Sequence, residues 1–162
     1  MRKVIINSTP IIALGGMGML ELLKKMYGEV IIPQAVYDEI GLKPDSRSFI
    51  ELKKSLSWVQ ILPIQNQMAK RFFKTQLHVG EVEVMILATE QEADLVVMDD
   101  ANAKKHAMYL GLNVIGTLGI LVKCKEQGFL NEVKPLLDQM SQNGFRISEN
   151  LRKIVLVQSN EL

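Results

Sequence analysis

The sequence holds 162 residues, 48% of them hydrophobic and 23% charged, the make-up of one globular domain large enough to bury a core of its own. No apolar run nears the ~20 residues that span a bilayer, the stretch after Met1-Arg2-Lys3 is too short for a signal peptide, and the lone Cys124 allows no internal disulfide, so a cytoplasmic protein without a membrane anchor is expected. A formal net charge of +1 offers a polyanion no global field, which leaves any nucleic acid to a local patch.

In chain order, Val4-Ile5-Ile6 is a short run of β-branched residues and is read as a buried strand. It gives way at Asn7-Ser8-Thr9-Pro10, a small polar cap and a proline that open a helix, and Met19, Leu20, Leu23 and Met26 follow at helical spacing. Gly15-Gly16-Met17-Gly18 lacks the order of a phosphate-binding glycine loop and reads as a break in the helix. Val30-Ile31-Ile32 is a second strand, and Pro33 opens a short helix carrying Val36, Glu39 and Ile40. A helix is predicted over 45–55, then a more exposed strand over 58–62 that ends at Pro63. Further helices are expected over about 67–74 and, more strongly, 81–92. Leu95-Val96-Val97-Met98 is a third buried strand that ends at Asp99-Asp100; the helix from Ala101 stops at Gly111. Asn113-Val114-Ile115 is a last short strand closed by Gly116, and helices over 118–127, over 132–141 and from near Ser148 complete the chain.

Apolar strands separated by helices imply right-handed crossovers and a mostly parallel sheet covered on both faces. The expected fold is an α/β three-layer sandwich around a roughly five-stranded sheet. It forms a single domain over 1–162, with the C-terminal helices (about 129–162) packed on it.

Open parallel sheets bind ligands at the carboxyl ends of their strands. That edge should gather Asn7 from the first strand and Asp99-Asp100 from the third buried one, with the start of the Glu81–Glu83 helix beside them. Successive helical residues turn by ~100°, so Glu81 and Glu83 diverge and one of them faces the cleft. Clustered carboxylates repel unless a cation joins them, and oxygen-only donors suit the hard ions Mg²⁺ or Mn²⁺. Such a site can activate water against a phosphodiester. Taken singly, the same acids also serve as helix caps or solvated surface groups.

Nearly the whole chain resembles the PIN-domain superfamily of metal-dependent ribonucleases, in a prokaryotic branch related to toxin-type nucleases. The resemblance is carried by the segments 5–14, 30–40, 80–88, 93–100, 110–119 and 144–148 in their order and spacing. It implies an RNA-cleaving site in which Asn7 stands where a first-strand aspartate is expected, with Glu39, Glu83 and Asp99 as the other metal-holding groups and the hydroxyl of Thr9 or Ser8 orienting them. Asp100 is an extra acid for a second metal or a cap of the next helix. Asn7 departs from the pattern: its amide oxygen can ligate a hard cation but carries no charge. Two readings therefore stay open, a metal-dependent endoribonuclease, including the toxin half of a toxin–antitoxin pair with an antitoxin protein as partner, and a weakened or silent binding module.

Lys104 and Lys105, with His106, and Lys70-Arg71 and Lys74 on another predicted helix, are candidate phosphate contacts or solvated helix faces. His78 is expected to cap or lie exposed before the Glu81 helix, neither histidine is spaced for zinc, and Cys124 is expected as a small buried filler. A homodimer is expected, built on apolar residues of the Leu118 or Glu132 helices.

Overall fold

The structure, a computed structural model, describes residues 2–73 and 77–162. Among these, five strands, β1 (Val4–Ile6), β2 (Val30–Pro33), β3 (Val59–Leu62), β4 (Leu95–Val97) and β5 (Val114–Ile115), form one sheet in the order β3-β2-β1-β4-β5. Every pairing is parallel. The flanking helices are α1 (Ser8–Gly16), α2 (Glu21–Tyr27), α3 (Gln34–Gly41), α4 (Arg47–Lys54), α5 (Val79–Glu90), α6 (Ala101–Tyr109), α7 (Thr117–Glu126), α8 (Lys134–Gln142) and α9 (Glu149–Gln158).

The three central strands are buried along their whole length. A parallel strand covered on both faces has no solvent side, which is why these segments read as unbroken apolar runs rather than alternations. The edge strand β3 is less covered, with Val59 buried, Gln60 in solvent and Ile61 and Leu62 half-buried. Ile5, Ile6, Leu14, Ile32, Met85 and Leu87 are fully buried in a core that extends from Val4 to Leu156. Each such side chain contributes about 1.5–3 kcal/mol by leaving water. Gly15 is the close-approach point of α1 and α4, since a β-carbon there would stand 3.0 Å from Ser48 Cα.

Two expectations are corrected. The helix predicted over 67–74 is a 3-10 turn over Gln67–Phe72 with no buried residue; Lys74 lies outside the described residues. Short helices are held mainly by packing of an apolar face, and of this one only Ala69, half-buried, packs against the core. The large exposed apolar side chains are not on the Leu118 or Glu132 helices. They include Leu151, Ile154 and Val157 on α9 and Met108 and Tyr109 on α6, because α7 and α8 bury Ile120, Leu121, Leu136, Leu137 and Met140 in the core. Among the described residues no helix is long and apolar enough to cross a membrane.

The strand order reverses direction between β1 and β4, and the crevice at their carboxyl ends is where such sheets take ligands. Asn7 and Asp99 lie just past the registered pair Ile6 and Val97 on those two strands.

Candidate functional site

Asn7 continues β1, donating its backbone N–H to Val97 O at 2.9 Å. It is also the N-cap residue of α1, with extended backbone, yet its side chain makes no capping bond. The residue is 3% exposed, and its Oδ1 is a buried acceptor with no hydrogen-bond partner. That oxygen faces the first turn of α5, where a β-carbon on Gly80 would stand 3.7 Å from Asn7 Oδ1 and 3.1 Å from Glu39 Oε1. Two acceptor oxygens thus converge on a stretch of bare backbone. A buried polar atom left without a partner is costly, and a hard cation satisfies such oxygens.

Glu39 and Glu83 both lie along the seam of α3 and α5. Glu83 is 7% exposed; its Oε1 accepts the Ala35 N–H in the first turn of α3 at 3.1 Å, and its Oε2 pairs with Lys70 Nζ at 3.1 Å. An anion placed at a helix N-terminus satisfies an orphan amide. Glu81, equally buried, turns away and accepts the His78 N–H at 3.0 Å, bracing the start of its own helix. Of the two glutamates, Glu83 is the one directed at α3.

Asp99 ends β4 and is held by the start of α7. Thr117 N–H donates to Asp99 Oδ1 at 2.8 Å and the Thr117 hydroxyl to Oδ2 at 2.7 Å. Gly116 makes room for this: its β-carbon would meet Lys104 Nζ at 2.8 Å and Asp99 Oδ1 at 2.9 Å. Asp100 is the N-cap of α6, its Oδ1 accepting the Ala103 N–H at 2.9 Å. Thr9, Asp99, Lys104, Thr117 and Arg146 share the wall of a cleft of about 610 Å³, closed on its apolar side by Ile147, Leu151 and Ile154. Lys105, one residue on, is exposed outside that wall.

The structure therefore brings Asn7 and Glu39 together at Gly80, sets Glu83 beside them on the same seam, and holds Asp99 and Thr9 on the neighbouring cleft. Among the described residues no three His, Cys, Asp or Glu side chains are grouped tightly enough to hold a metal ion. Glu83 is instead held by the Ala35 amide and Lys70, and Asp99 by Thr117 at the head of α7. A divalent ion still fits the oxygens present: Asn7 Oδ1 is buried without a hydrogen-bond partner beside Glu39 Oε1, both are hard acceptors, and a carboxylate oxygen that accepts one hydrogen bond keeps a second lone pair. Gly80, Thr117 and the Ala35 amide were not legible as parts of the site. Backbone amides have no letter in a sequence, and Thr117 offers only its place at the head of a helix after a strand. Lys70 was legible as a cation on a helical turn; its partner, 13 residues on, was not.

The strand order and the acids at the switch-point edge define a doubly wound parallel α/β fold. The chain belongs to the PIN-domain family DUF3368, whose pattern matches residues 3–161. It is similar in fold to a PilT N-terminus domain protein from the hyperthermophilic archaeon Sulfolobus solfataricus P2. That likeness has a TM-score of 0.51 at 17% identity and covers 74% of this chain and 91% of the other. No curated protein matches the sequence.

Proposed function

We propose that this chain is a cytoplasmic, divalent-metal-dependent endoribonuclease that hydrolyses RNA phosphodiesters, with Mg²⁺ or Mn²⁺ held by Asn7, Glu39, Glu83 and Asp99. The observation that carries the reading is the buried, partnerless Asn7 Oδ1 facing Glu39 Oε1 across Gly80. When bound, such an ion supplies a water of lowered pKa and offsets phosphodiester charge. The chain's own groups do the rest: Lys104 and Arg146, on the cleft wall with Asp99, meet flanking phosphates, and the Thr9 hydroxyl orients the polar end of the cleft. Lys105 adds charge outside it, and Asp100 serves α6 rather than a second ion. The toxin role and its antitoxin partner rest on the family resemblance, and a homodimer needs another face than α7 or α8, which bury their large apolar side chains.

A specific observation favours a second reading, a silent binding module: the site lacks the first-strand carboxylate, and Glu83 and Asp99 are already engaged by the chain. The two readings separate in one assay. Wild type incubated with single-stranded RNA and Mn²⁺ should cut it, excess chelator should stop cleavage, and Asp99→Asn or Glu83→Gln should slow it by about 100-fold or more. Cleavage undiminished in chelator overturns the metal mechanism. A silent wild type that gains activity on Asn7→Asp favours the second reading.

A further inference from the structure

Among the described residues, Lys70 is the cation paired directly with an acid of the candidate site. Its Nζ lies 3.1 Å from Glu83 Oε2, while the Ala35 amide holds Oε1 of the same carboxylate at 3.1 Å. The two partners differ in how they are held. The Glu83 side chain is 9% exposed and that of Lys70 is 37% exposed, and Lys70 rides on a 3-10 turn with no buried residue. That turn is fastened at its start, where the Glu90 carboxylate accepts the N–H groups of Gln65 and Asn66. Lysine is a compact, strongly hydrated charge on a flexible stem, so its ammonium can withdraw into water, whereas Glu83 cannot leave its place in α5.

Resting on the metal reading above, we infer that Lys70 is a tethered counter-cation of the site, competing with the divalent ion for Glu83. A buried carboxylate stripped of its counter-charge is strongly disfavoured, so Glu83 holds either the ammonium or the metal. The consequence is a site whose metal affinity is set below what its oxygens alone would give. Loading it releases Lys70 towards solvent. This is a regulatory role for a residue whose sequence position suggests a phosphate contact or a solvated helix face.

The test is calorimetric titration with Mn²⁺ alone, without RNA or turnover. Lys70→Met, which keeps the stem and removes the charge, should bind Mn²⁺ about tenfold more tightly than wild type, and Lys70→Arg should stay near wild type. In a Glu83→Gln background Lys70→Met should have no effect. In unmodified protein, Mg²⁺ should move the Lys70 ammonium signal in NMR, a readout independent of how the variants fold. Equal Mn²⁺ affinity of wild type and Lys70→Met, a gain that persists with Glu83→Gln, or an ammonium signal that stays put overturns the competition and leaves the metal reading standing. If no variant takes up Mn²⁺, the metal reading itself falls and this inference with it.

Discussion

A hydrogen atom is all that Gly80 presents to the oxygens of Asn7 and Glu39, and that gives the site a discriminating substitution. Replacing glycine by alanine stabilises a helix interior by about 0.5–1 kcal/mol, and less in the first turn, where Gly80 lies. Here the added carbon would press to 3.1 Å on Glu39 Oε1, so the carboxylate must give way by a few tenths of an ångström. Gly80→Ala should leave the melting temperature equal or higher and weaken Mn²⁺ binding several-fold, within the roughly 10–100-fold range seen when groups supporting a metal site are changed. Calorimetry on the two proteins decides it: an unchanged affinity would mean that no ion sits between these oxygens. Asn7 itself was legible as the odd residue of the acidic set. Its burial and its failure to cap α1 were not, because both depend on how α5 packs over the β1 end.

At the scale of elements, the strands and most helices were legible because burial on both faces demands unbroken β-branched runs and because glycines mark helix ends, as Gly111, with φ +80°, does after α6. The 3-10 turn over Gln67–Phe72 reads as a longer helix in the sequence, since its composition carries no sign that only Ala69 would meet the core. Also illegible was the tie that Glu161 makes between distant elements. Its carboxylate accepts the N–H groups of Val133 at 2.7 Å and Lys134 at 2.9 Å, at the head of α8, and pairs with Lys125 of α7 at 3.1 Å. Burial would raise its pKa, but the two amides and the Lys125 ammonium outweigh that and pull it down to about 2. A carboxylate whose folded pKa is depressed contributes stability that is present above its unfolded value, near 4.5, and lost as pH falls towards 2. Glu161→Gln should therefore cost about 1–2 kcal/mol near neutral pH. Its stability should also fall less steeply than wild type between about pH 5 and 2. Denaturant midpoints measured across that range test it, and parallel acid limbs for the two proteins would remove Glu161 from the explanation.

For the molecule as a whole, the balance of charge limits how RNA can be held. With 19 basic and 18 acidic residues there is no long-range field to draw in a polyanion, and the acids of the switch-point edge repel one. Affinity must come from the few cations placed along the cleft, of which Lys104 and Arg146 line its wall. Each phosphate neutralised on a single strand contributes about −0.7 to the slope of log K against log salt. Two contacts give a slope of about −1.4, far shallower than a basic nucleic-acid-binding surface would show. Measured on Asp99→Asn, to keep the RNA intact, binding should follow that shallow slope, and Lys104→Ala and Arg146→Ala should each flatten it by about 0.7. The same loss should appear for every RNA sequence tested, because phosphate contacts carry no sequence information. A slope several times steeper, or one that neither substitution changes, would put the RNA on another face of the protein, with the cleft beside Asp99 left to some other ligand.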